Sequence, residues 1–186
     1  MSERLFSFIG ESAGPWRIDR IETIVGEGLG KAERLNVVRG SFEGLSEWTL
    51  RGITSHDRYV GRQEKEELLA RQPELGRSQA ICAALIPIRK NEAWWKLAQD
   101  ERRAIFEERS GHIRTGIAHL PAIARRLYHC RDVGETEPFD FLTWFEFAPA
   151  DRPSFDRLVA ELRKSEEWKY VDREVDVRLT LDPASG

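Results

Sequence analysis

The chain has 186 residues, a formal net charge of −3, 40% hydrophobic residues, six tryptophans and nine phenylalanines. That length fits one domain or two very small ones, and the aromatic content is ample for a core. Mixed charge of both signs excludes a nucleic-acid footprint, and no apolar run approaches the length needed to span a bilayer.

The N-terminus, MSERLFSFIGESAG, carries early charge but no long apolar core, so a soluble cytoplasmic protein is expected. Glycines cluster at the front (Gly26, Gly28, Gly30, Gly40, Gly44), and alternation at Trp16, Ile18, Ile21, Val37 and Val38 predicts irregular short strands. Residues 47–54 alternate more regularly and predict a firmer strand. Residues 62–72 are helical by composition, with Leu68 and Leu69 expected on one face and Pro73 and Gly76 as the stop. Residues 79–88 are almost wholly apolar, as in a strand covered on both faces. Asp100 is placed as the N-cap of a helix through position 109, and a short second helix over 111–119 ends before Pro121. Residues 125–130 and 139–147 predict two strands joined by a polar turn with Gly134. In the second, Phe139, Phe141, Thr143, Phe145 and Phe147 share one face, opposite Leu142 and Trp144. Ser154 is expected to cap a helix whose stripe is Phe155, Leu158, Val159 and Leu162. Over residues 170–181, Val171, Val175, Val177 and Leu179 alternate with Asp172, Glu174, Asp176 and Arg178, the pattern of a half-buried strand.

The second half therefore runs strand, helices, strand, strand, helix, strand. That is the ferredoxin-like arrangement, an α+β antiparallel sheet with helices on one face. Its aromatic second face needs a cover: a ligand, a similar module or a partner subunit. Residues 1–78 are expected to form a shortened N-terminal version of the unit, and 79–186 the complete C-terminal one. Cys82 and Cys130 lie in strand-like segments without metal spacing and are expected to be small buried residues.

Two residues break the apolar pattern in a way that invites chemistry. His112 sits on an apolar helical stretch, and Arg125 opens a strand that its neighbours would bury. A buried imidazole and a buried guanidinium each need a partner. Together they suggest a metal held by one and an anion handled by the other. A helix histidine bonded to a backbone carbonyl accounts equally well for His112, and His119 and His129 are rivals; His56 lies in a polar loop. There is no HExxH and no CxxC, and a single protein ligand suits an iron already held by four porphyrin nitrogens. Trp94 and Trp95 would wall a large flat ligand, with Arg89 or Lys90 at its acidic edge. Glu166 or Glu167 could accept the Nδ1 proton of a ligand histidine, and the pattern does not choose between them.

The stretches IPIRKNEAWWKLAQDERRAIFEE, HIRTGIAHLPAIARRLYHCRDVGE, PFDFLTWFEFAP and EEWKYVDREVDVRL resemble the chlorite dismutases, in their short dimeric lineage, from about Arg51 onward. The resemblance implies a dimeric α+β barrel enzyme, a cytoplasmic homodimer without nucleic-acid or membrane partners. It would bind one haem b per subunit with five-coordinate ferric iron. It would decompose the small anion chlorite to chloride and dioxygen through a ferryl intermediate and transient hypochlorite. By motif position, His112 is the iron ligand, Arg125 the distal catalytic arginine and Glu167 the carboxylate bonded to the histidine. Gln72 restrains the arginine, and Trp94 and Trp95 belong to the pocket. Leu120 and Phe141 are placed in the pocket lining by periodicity. Alternatives on the same fold are a haem peroxidase, a coprohaem decarboxylase-like enzyme and a haem-binding or haem-sensing protein. An α+β dimer without cofactor is a further one. The decarboxylases resemble this chain less: they carry glutamine at the Arg125 position and a tyrosine in a YPMSK-like motif, where this chain reads IPIRK.

Overall fold

The computed structural model describes residues 4–54 and 59–182. Eight antiparallel strands close into one barrel in the order β1-β3-β2-β8-β5-β7-β6-β4. The first four are β1 (Leu5–Glu11), β2 (Trp16–Val25), β3 (Arg34–Arg39) and β4 (Trp48–Ile53). Helix α1 (Arg62–Arg71) leads to β5 (Cys82–Lys90) and the short helices α2 (Glu92–Lys96) and α3 (Gln99–Arg103). A π-turn (Ala104–Arg109) then precedes α4 (His112–Ala118), β6 (Ala124–His129) and β7 (Phe141–Phe147). Helix α5 (Arg152–Arg163), a 3-10 turn (Glu166–Tyr170) and β8 (Val171–Leu181) complete the chain.

Each half repeats one strand order. In the second half, β8-β5-β7-β6 is fourth-first-third-second; in the first half, β4-β1-β3-β2 is the same. The first half thus repeats the strand order of the second, with short connections where the second has crossover helices. A turn joins β1 to β2, and residues 40–47 cross β1 to join β3 to β4. Ser7 and Ile9, which alternate with inward Phe6 and Phe8, are fully buried on the outer side of β1. The two sheets cover each other's aromatic faces by closing the barrel.

Alternation fixes what goes where. Leu85, Leu142, Trp144, Val175, Val177 and Leu179 fill the barrel with residues of the first half, among them Phe8, Leu35 and Leu50. Ala84, Ile86, Phe145 and Phe147 point outward onto Phe155, Leu158, Val159 and Leu162 of α5. Strand β5 therefore has two covered faces, as its continuous apolar run predicts.

Several local expectations are corrected. Phe139 precedes β7 and packs inside the barrel with Leu142 and Trp144, because Asp140 breaks the alternation there. The helix at 99 starts after Ala98, whose amide Glu101 accepts at 2.7 Å, so Asp100 lies in the first turn. Helix α5 begins at Arg152, ahead of Ser154, whose hydroxyl instead meets His119 Nδ1 at 2.9 Å. Leu68 is buried while Leu69 is exposed, since adjacent helical residues point about 100° apart. Strand β8 is buried on both faces: Glu174 and Asp176 are fully covered by α5 and bonded to Arg163. Both cysteines are buried and free, and burial pushes the Cys130 thiol far up, as expected for an inert packing residue. Among the described residues no helix is long and apolar enough to cross a membrane.

Candidate active site

A cavity of about 490 Å³ lies between α1, α4 and α5 and the outer face of the second-half sheet. That volume is typical of a small-molecule or cofactor pocket. Its sheet wall includes Ile86, Ile88, Phe141, Thr143 and Phe145, and its helix walls carry His112, Gly116, Leu158 and Leu162.

The first wall is built to hold one imidazole. The π-turn leads through Ser110 to Gly111, whose φ of +62° is readily available only to glycine. Glu107, on the π-turn, reaches forward to accept the amides of Ile113 (2.6 Å) and Arg114 (3.2 Å). It serves the free N–H groups of α4 in place of a capping Ser or Asp. His112 opens this helix. Its ring stacks on Phe106 at 4.2 Å and lies nearly parallel to Trp168 at 6.4 Å. Its Nδ1 bonds Glu167 Oε2 at 2.6 Å, leaving Nε2 as the second nitrogen of a residue that lines the cavity.

Glu167 is held from both sides. Lys90 Nζ donates to its Oε1 at 2.6 Å, and both side chains are almost fully buried. Burial alone would raise the Glu167 carboxyl, but the His112 imidazole and the Lys90 ammonium outweigh it and hold it at about 2. The Lys90 ammonium also sits over the rings of Trp94 (4.6 Å) and Trp168 (5.4 Å). Its amide donates to Asp140 Oδ2 at 2.7 Å, which fixes the strand end.

The opposite wall carries Arg125, on β6, paired across the ladder with Phe145. Its guanidinium lies against α4: a Cβ on Gly116 would meet Cζ at 3.8 Å. Gly116 is one helical turn after His112, so the cation and the imidazole address the same helix face. Gln72, just past α1, donates to the Arg125 backbone carbonyl at 2.8 Å and lines the cavity. It contacts the strand and not the guanidinium through this bond.

Trp94, Leu120 and Phe141 line the cavity, as expected. Trp94 is 1% exposed and its Nε1 has no hydrogen-bond partner among the described residues, an orphaned donor in a residue that lines the pocket. Trp95 falls outside the lining. It stacks on Phe141 at 6.1 Å, donates to Asp140 and is flanked by Arg102 and Arg131. Arg89 lies outside the lining and pairs with exposed Asp172, while Lys90 lines the cavity and faces Glu167. Glu166 pairs with Arg109 in solvent, which leaves Glu167 as the buried carboxylate. His119 lies against Ser154, away from the cavity; His129 lines it from β6; His56 lies outside the described residues. Lys90, Asp140 and Trp168 were not singled out for these duties by sequence. The only signal for Lys90 was a lysine closing an apolar strand.

Comparison with known proteins places the chain. A family profile for chlorite dismutase matches residues 34–180. The chlorite dismutase of Ideonella dechloratans is 30% identical over 138 residues, 70% of this chain and 44% of that protein. The chain therefore spans less than half the length of that curated relative. A dimeric chlorite dismutase from Nitrobacter winogradskyi is 52% identical, with a TM-score of 0.90 over 95% of this chain and 99% of that one. The chlorite dismutase of Candidatus Nitrospira defluvii in complex with imidazole shares the fold at 18% identity, with a TM-score of 0.65 over 98% of this chain and 93% of that one.

Proposed function

The chain belongs to the chlorite dismutase family, and from that premise we propose that it binds haem b in the cavity and decomposes chlorite, ClO2−, to Cl− and O2. The observation that carries this proposal is the pairing, across one cavity, of a carboxylate-backed histidine with an arginine that faces the same helix. The residues fit the cofactor. Among the described residues no three His, Cys, Asp or Glu side chains converge on a metal, so His112 would be the sole protein ligand to an iron whose other bonds come from the porphyrin. The orphaned indole N–H of Trp94 is a donor for an anionic edge group, and Leu120 and Phe141 supply apolar walls.

When bound, haem supplies an iron centre that can take an oxygen atom from chlorite and release it in dioxygen. The chain does the rest. Glu167 accepts the Nδ1 proton of His112 and raises the donor strength of Nε2. Lys90 keeps that carboxylate charged inside the protein. Arg125 draws in chlorite and orients it with a planar fork that a lysine lacks. It then retains hypochlorite until the O–O bond forms and chloride departs. No proton is consumed overall, so no general base is required. The apolar walls exclude water and strengthen the field of the arginine. Gln72 steadies the Arg125 main chain. The decarboxylase alternative lacks its phenol: Ile86 stands in the lining at that motif position. Tyr59, the tyrosine of the lining, packs on Trp94 and Phe106.

Oxygen release on adding chlorite to the haem-loaded protein tests the assignment, with Arg125→Ala beside it. The variant should keep haem, lose most turnover and bleach faster, and a hypochlorite scavenger should protect it. No oxygen from the parent protein, or unchanged turnover and bleaching in the variant, refutes it. The match in length to a dimeric relative supports a homodimer, which light scattering after gel filtration would check.

A further inference from the structure

We propose that Glu174 is a positioning residue for the His112 imidazole, acting through the indole of Trp168. This rests on the haem reading above. Glu174 projects from the outer face of β8, is completely buried and lines the cavity. Its two oxygens have separate partners: Oε1 accepts from Arg163 Nε at 2.8 Å, and Oε2 from Trp168 Nε1 at 2.7 Å. Arg163 comes from α5 and is shared with Asp176 at 2.9 Å. The chain of contacts therefore runs from helix, to sheet, to the indole.

Trp168 follows Glu167 directly on the 3-10 turn, so the indole and the carboxylate that bonds His112 are carried by one short segment. The backbone of the turn is tied by Glu167 N to Ser110 Oγ at 2.9 Å, by Trp168 N to Ser165 O at 3.2 Å and, at its far end, by Asn91 N to Tyr170 O at 2.8 Å. Two side-chain struts join this turn to the barrel, Lys90–Glu167 from β5 and Trp168–Glu174 from β8, and the second is the one that fixes the indole. Its ring lies 20° from the plane of His112, and the Lys90 ammonium rests over it. Apolar residues in place of Glu174 and Arg163 would fill the same space but leave the Trp168 indole N–H unpaired and take one guanidinium from buried Asp176. They would not set the rotation of an indole, whereas a charge-assisted hydrogen bond does. A buried carboxylate here is explained by orientation, and the object it orients is the His112–Glu167 pair.

The test is the ferrous iron–imidazole stretching band of the haem-loaded protein in resonance Raman, read with the melting temperature. Glu174→Met and Trp168→Phe should each lower or split the single parent band while haem stays bound, and the double variant should shift it no further. Glu174→Gln keeps an oxygen acceptor for the indole and should restore the parent band. A parent-like band in Glu174→Met and Trp168→Phe, with only the melting temperature reduced, overturns the proposal. So do additive shifts in the double variant. If Glu174→Met does not fold, Trp168→Phe decides alone, since it removes the same hydrogen bond and keeps a ring. A parent protein without an iron–imidazole band overturns the haem assignment itself, and this proposal with it.

Discussion

Lys90→Met removes one cation from a place where water cannot replace it. The Lys90 and Glu167 side chains are 4% and 5% exposed and meet at 2.6 Å. Deleting one partner of a buried pair costs about 3–5 kcal/mol, because the remaining charge stays desolvated. The ammonium–indole contact with Trp94, desolvated on both sides, is lost with the same charge and favours the upper end of that range. Two effects oppose this: methionine keeps the buried aliphatic stem, and His112 still bonds Glu167. A net loss of about 3 kcal/mol is therefore expected. Urea unfolding of the purified haem-free protein at neutral pH measures it. Lys96→Met is the control, since its partner Glu92 is exposed and the pair should contribute no more than about 0.5 kcal/mol. Adding Glu167→Gln to Lys90→Met neutralises the stranded carboxylate yet leaves an acceptor for His112. It should recover more than half of the loss. A Lys90→Met cost under about 1 kcal/mol, or a double variant as unstable as the sum of the singles, would show that burial does not make this pair expensive.

Trp94→Phe removes an indole N–H that has no partner among the described residues. It should weaken haem retention in transfer to apomyoglobin, while the haem-free protein loses less stability than a Trp truncation usually costs, because an unpaired buried donor worth about 1–3 kcal/mol disappears with it. Equal haem loss rates for parent and variant would contradict a role in holding the cofactor. His112→Ala should lose the haem or bind it weakly, and a normal five-coordinate spectrum in that variant would move the ligand to His129. Burial raises the Asp176 carboxyl, but the guanidinium groups of Arg178 and Arg163 outweigh it and hold it below the usual range. Its stabilising effect is then present above the unfolded value of about 3.9 and lost as pH falls through the lower folded value. Asp176→Asn should be less stable at neutral pH and should lose less between about pH 4 and pH 2, read from melting temperatures. An acid limb identical to that of the parent would refute the pairing.

Strand and helix identities were readable wherever one physical cause sufficed. The apolar run of β5 and the stripe of α5 both report burial, and both hold. Failures came where a side chain had a partner distant in sequence. Glu174 and Asp176 alternate with valines, as solvent-facing residues do, yet Arg163 and Arg178 meet them under α5. Ser154 has the chemistry of a cap but bonds His119 instead, and the duty of capping α4 fell to Glu107. His112 and Arg125 stood out as costs to be balanced. The residues alone left those costs open between several readings; the family resemblance suggested an iron ligand, an anion clamp and Glu167 in place of Glu166, and the structure places Glu167 on His112 and adds Lys90.

The repeat in the fold explains why this cavity forms in the second half and not beside the first. Both halves thread their strands in the same order, so both must carry the chain from the third strand across the first to the fourth. In the second half that crossing is α5, and the chain before β6 is α2, α3 and α4. A helix is about 10 Å thick with its side chains, so neighbouring helices stand off from the sheet and can leave a gap bounded by two walls. One wall then offers His112 and the other Arg125. In the first half the crossing is the short segment 40–47, which lies close enough to bury Ser7 and Ile9. A loop pressed onto a strand leaves no second wall, and the connection from β1 to β2 is only a turn. The proposed haem site is placed in the second half by that asymmetry. The short connections of the first half lack the helix walls of the His112–Arg125 cavity but keep the strands that close the barrel around its aromatic core.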